Sequence, residues 1–105
     1  MRRMSIKNTK LLTVTGVFRD DPITFLVETL KNPGEEAIIS FETLDGVYES
    51  REDFEDALDY TVDRYGKGYA HKDDVKRWSL IYLKLLDAHR LVDALNEALA
   101  ASEES

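Results

Sequence analysis

The sequence predicts an α+β domain: a small antiparallel sheet from the N-terminal half, packed against two C-terminal helices, the last one long. Three observations carry this. Apolar residues alternate with a period of two in the first half of the chain. A serine-led amphipathic segment opens at residue 50, and residues 72–101 hold neither proline nor glycine. With 105 residues, 43% of them hydrophobic and 33% charged, the chain has the length for a single domain (1–105) and enough apolar content to close one core.

Residues 1–9 read as a basic, flexible N-terminus and residues 102–105 as a frayed tail. Over residues 10–19, Leu12, Val14 and Phe18 fall on one side of an extended chain, with Leu11, Thr13, Thr15 and Val17 on the other, which predicts a strand. Residues 22–31 fit two patterns. Asp21 and Pro22 make a good helix start, Ile23, Leu26, Val27 and Leu30 share a helical face, and Asn32-Pro33-Gly34 is a plausible stop. Ile23, Phe25, Val27 and Thr29 also alternate as in a strand; a short helix is the expectation. Residues 36–49 alternate again, and Asp45-Gly46 is the pair favoured in tight hairpin turns, so a hairpin with a short return strand at Val47-Tyr48 is expected.

Ser50 can cap the helix that follows, with Asp53 three residues on as in a capping box. Phe54, Ala57, Leu58, Thr61, Val62 and Tyr65 form its inward stripe, and Gly66 is its expected stop. The last helix is expected over 72–101, about 45 Å long at 1.5 Å per residue. Within it Ile81, Leu85, Ala88, Val92, Leu95 and Leu99 recur at helical spacing as a candidate self-association seam, the basis for expecting a homodimer.

The net charge of −7 is unevenly spread. Residues 1–10 carry four bases and no acid, whereas residues 35–63 carry eleven acids against Arg51 alone. On the helix that Ser50 opens, Glu52, Glu55, Asp56, Asp59 and Asp63 lie within an arc of about 100° opposite Phe54 and Leu58, with Tyr60 beside them. The pairs 52/56, 55/59 and 59/63 are like charges four apart, each costing about 0.2–0.5 kcal/mol. A helix selected for stability alone would alternate acids with bases. These six residues, Tyr60 included, are the candidate partner-binding ridge. The plain alternative is a solvated face.

Other classes are set aside on the residues. The absence of cysteine excludes disulfides and thiolate metal sites, and points to a reducing, cytoplasmic setting. The basic start runs into no apolar segment of signal-peptide type, and the longest apolar-rich run, residues 78–86, is too short to span a bilayer. His71 and His89 are the sole imidazoles and stand apart, no nucleophile elbow is present, and no cluster has metal spacing, so neither catalysis nor a cofactor is expected. The loop 64–72 sets Arg64, Lys67, His71 and Lys72 among Tyr65 and Tyr69, a composition that can hold phosphates and stack on bases. It lacks the Walker A spacing, and the chain is acidic, so direct nucleic-acid binding through this loop and the basic N-terminus is the weakest reading. The favoured expectation is a non-enzymatic acidic inhibitor or adaptor that docks on a basic, nucleic-acid-binding partner such as a nuclease. The alternative is a homo-oligomeric accessory protein associating through the long helix.

Overall fold

The computed structural model describes residues 5–16, 21–65 and 78–103, with the backbone alone over 60–65. The chain is α+β. Strands β1 (Ser5–Thr15), β2 (Pro22–Lys31), β3 (Ile38–Asp45) and β4 (Trp78–Lys84) form one antiparallel sheet in the order β1-β2-β3-β4. Helix α1 (Arg51–Tyr65) lies between β3 and β4 in sequence, and α2 (Leu85–Ser102) follows β4 directly.

The expected helix over residues 22–31 is the central strand β2. It is paired along its length, Ile23 to Leu30 opposite Asp45 to Ile38 on one side and Val14 to Ile6 on the other. The chain supplies apolar or β-branched residues on both faces of this segment, the pattern of a strand covered on both sides, and pairing to two neighbours outweighs the cap at Asp21. Pro22 is tolerated because it is the first residue of the strand. Asn32-Pro33-Gly34-Glu35 closes the β2–β3 hairpin, with Glu35 N–H donating to Asn32 O at 3.2 Å. Gly34 at φ 77° occupies the left-handed position that a type II turn requires after proline.

Asp45-Gly46 does not make a hairpin. Gly46 has φ 120°, its N–H donates to Pro22 O at 2.8 Å, and the chain leaves the sheet here. A Cβ at Gly46 would lie 2.6 Å from Tyr48 Oη, so both the backbone angle and the space demand glycine. Tyr48 is drawn inward instead of pairing: its Oη donates to Asp45 O at 2.6 Å, and its ring meets Phe54 edge-on at 5.6 Å between centroids. Burying an aromatic against the core exceeds what a two-residue return strand could gain.

The expected single helix over 72–101 divides. Residues 78–84 form β4, which pairs with β3 from Leu44↔Trp78 to Ile38↔Lys84. The apolar residues that point all round a helix in this segment are those of a two-sided strand. β1 also starts earlier than expected, so residues 5–9 of the basic segment are strand, with a register shift between Ile6 and Asn8.

One face of the sheet carries the core. Leu26 and Leu44 are buried there with Tyr48 and Phe54, and Leu11, Ala57, Leu58 and Trp78 pack around them. α1 is thus held on the sheet by the inward stripe expected of it, as far as its side chains are described. Ser50 caps it as expected, its Oγ accepting from Asp53 N–H at 3.1 Å. The expected stop at Gly66 and the loop 64–72 with its histidine lie outside the described side chains.

Candidate functional site

The acidic ridge sits on the outer face of α1. Glu52, Asp56 and Asp59 are exposed and Glu55 is half-buried, while Phe54, opposite them, is fully enclosed. The side chains of Tyr60 and Asp63 lie outside the described residues. One member of the ridge is neutralised. Arg51 reaches Glu55 at 3.1 Å, four residues on, and on its other side donates through Nε to Glu28 at 2.7 Å. Glu55 therefore belongs to an ion-paired network, and the free charge of the described ridge comes from Glu52, Asp56 and Asp59.

That network leads to two buried carboxylates that sequence reasoning missed. Glu28 on β2 and Glu42 on β3 both face the α1 side of the sheet and are almost wholly buried. Glu28 accepts from Arg51 and from Thr9 Oγ1 at 2.8 Å. Glu42 accepts from the Trp78 indole at 2.6 Å. The signal was the strand period: once residues 22–31 are a strand, Glu28 falls in line with Thr24, Leu26 and Leu30. The two acids have different partners. Glu28 has a guanidinium beside it, whereas burial lifts the Glu42 carboxyl above its ordinary value of 4.5, the Trp78 hydrogen bond opposing this and Glu55 and Glu28 adding to it.

This has a consequence for pH. A carboxyl raised on folding binds its proton more tightly in the folded chain, so its stabilising share is complete below about 4.5 and is lost as pH rises through the folded value. Glu42→Gln keeps an acceptor for the indole and removes the buried charge. The variant is expected to unfold at higher urea than the parent at pH 7, with the gap narrowing towards pH 4. Equal midpoints at pH 7 would show that the indole bond fully compensates the burial.

The other face of the sheet has a different character. By register it carries Leu12 and Val14 of β1, Ile23, Phe25 and Val27 of β2, Ile39 and Phe41 of β3, and Ile81 and Leu83 of β4. Phe25 and Phe41 contact edge-on at 5.3 Å, and Thr43 and Ser79 share a hydrogen bond of 2.6 Å. No residue of this face is buried: Ile81 is 51% exposed and Leu12 53%. An antiparallel sheet with one covered face ordinarily shows polar residues on the other. Here the second face is as apolar as the first.

α2 completes the picture. None of its residues is buried. Of the six residues expected as a self-association seam, Ile81 is on β4 and not on the helix. Leu85 and Ala88 are half-buried near the sheet, and Val92, Leu95 and Leu99 stand open, Leu99 63% exposed. Around the helix, Leu85, Ala88, Leu91, Val92, Leu95 and Leu99 fall within an arc of about 120° that holds no charged residue. The helix is poorly anchored at its ends. Lys84 at its N-cap makes no side-chain cap bond, and the last turn has no base to match the dipole.

Among the described residues, no three histidine, aspartate or glutamate side chains are grouped to hold a metal, and no helix is long and apolar enough to cross a membrane. Comparison with models of protein families, with curated proteins and with solved structures finds no match.

Proposed function

We propose that the protein is a non-enzymatic, self-associating protein-binding module whose apolar second sheet face and C-terminal helix are its working surfaces. The observation that carries this reading is that no residue of α2 is buried. Helices in proteins draw most of their stability from a packed apolar face, and a solitary helix of about this length is marginal in water. α2 has such a face and, beyond its first turn, nothing among the described residues to set it against. The bare sheet face adds an apolar patch of the kind that marks interaction sites. Because association stabilises the folded chain by mass action, the melting temperature is expected to rise with protein concentration. A melting temperature that stays constant from low to high micromolar protein would count against self-association.

A second reading is favoured by the geometry of α1. Phe54 fixes the helix with Glu52, Asp56 and Asp59 outward, a rigid display of negative charge suited to steering a basic partner, as an acidic inhibitor or adaptor would. Replacing Glu52, Asp56, Asp59 and Asp63 by glutamine or asparagine is expected to raise stability by a few tenths of a kcal/mol for each like-charge pair relieved. The same change is expected to slow association with a basic partner and to flatten its salt dependence. Unchanged association rates would make the ridge a solvated face.

A further inference from the structure

The bare sheet face and the bare helix are the two large unpartnered apolar surfaces among the described residues, and they are parts of one chain. We propose that the open face of the sheet is the seat for α2 of a second copy, so that two copies exchange their C-terminal helices. The proposal rests on the self-association reading and specifies which surfaces meet.

Four observations support this occupant over others. The first is connection. α2 begins immediately after β4, whose last residue, Lys84, is the helix N-cap in extended conformation (ψ 154°), with no residue between. Strand-to-helix connections that fold a helix back over its own sheet ordinarily use 2–6 residues. No such loop exists between β4 and α2.

The second is size. The helix is about 27 Å long at 1.5 Å per residue. β2 is about 33 Å long at 3.3 Å per residue, and four strands give a face about 19 Å across, enough for one helix.

The third is area. A stable pair needs about 800 Å² from each copy. A seam between two α2 helices would offer only a strip about 27 Å long and roughly 10 Å wide on each, well short of that figure. Reciprocal seating uses the helix stripe and the sheet face of each copy together, which doubles the strip to roughly 540 Å² and comes nearer to that figure.

The fourth is charge. Lys10 and Lys31 are the bases on the open face, both at the β1–β2 end, with the apolar residues beyond them. α2 carries Asp87, Asp93 and Glu97 against Arg90, and Arg90 is already engaged with Asp87 at 3.5 Å. The helix is thus net acidic, opposite in sign to the two lysines of the open face. A basic partner would be repelled at this rim, and a nucleic acid would find an apolar floor.

The chain has no cysteine, so one introduced thiol takes a spin label uniquely. The experiment mixes chains labelled at Asn96→Cys, beside the stripe, with unlabelled chains carrying methyl isotopes. In the mixed pair the open-face methyl groups of the unlabelled copy, such as those of Val27, Ile39 and Ile81, are expected to lose most of their signal. Ala94→Cys, on the side of the helix away from the stripe, is expected to give a weaker version of the same pattern and guards against a label that blocks docking. A pair in which only the Val92, Leu95 and Leu99 methyl groups broaden is a helix seam, and overturns the exchange while leaving self-association standing. A pair with no broadening of open-face methyl groups from either label overturns it too, whether the sheets meet face to face or elsewhere. A chain that sediments as a monomer with or without the label overturns the self-association reading itself.

Discussion

Phe54→Ala is expected to destabilise the chain by about 3–5 kcal/mol, the usual cost of removing a fully enclosed phenylalanine. Phe54 is 0% exposed and is the one fully buried side chain that α1 contributes among its described residues. It packs with Leu26 and Leu44 and takes the Tyr48 ring against its edge. A domain of this size holds about 5–15 kcal/mol in all, so the loss is a large share of the total. The same change would release α1 from the sheet and leave Arg51 without a fixed approach to Glu28, whose carboxylate would remain buried beside Thr9. Urea unfolding followed by far-ultraviolet circular dichroism measures the effect. A cost below about 1 kcal/mol would mean that contacts other than Phe54, the Arg51–Glu28 pair among them, hold α1 on the sheet.

The second large effect is on association. Val92→Glu with Leu95→Glu places two charges in the middle of the α2 stripe, where both parent residues are more than half exposed. In a single chain such positions tolerate substitution, within about 0.5 kcal/mol for surface sites. In an exchanged pair they are enclosed, and each unpaired charge in an apolar seat is strongly penalised. The double variant is therefore expected to sediment as a single chain and to lose the rise of melting temperature with concentration. Its sheet and α1 are expected to remain folded, because nothing in their core touches these positions. A double variant that still pairs would place the contact elsewhere.

Much of this architecture was legible in the sequence, and the gaps have physical causes. β1, β3 and α1 were readable because period and capping agree there, as at Ser50, where the expected cap bond forms. β2 and β4 were misread for one shared reason. Both are two-sided strands, and residues such as Ile23, Phe25, Leu26 and Val27 satisfy a helical face and a strand pair equally well until the neighbouring strand is known. The ridge on α1 was visible as charge without opposing charge, but the partnership of Glu55 with Arg51 and Glu28 joins positions far apart in sequence. The candidate seam was half legible. Leu85, Ala88, Val92, Leu95 and Leu99 share a helix as expected, whereas Ile81 belongs to the sheet face. That error concealed the open face itself, since Ile81 and Leu83 line it together with Phe41 and Ile39.

On the reading proposed above, the chain completes its fold only as a pair. Its two apolar layers, the second sheet face and the stripe of α2, are laid out for burial and have no cover within the described fold. Hydrophobic surface of this extent drives association in proportion to its area, about 25 cal/mol for each Å² removed from water before the costs of ordering. Sedimentation equilibrium of the unmodified protein tests this most directly. A mass of twice the chain at micromolar concentrations is the predicted result; a single-chain mass persisting to high micromolar protein would contradict it.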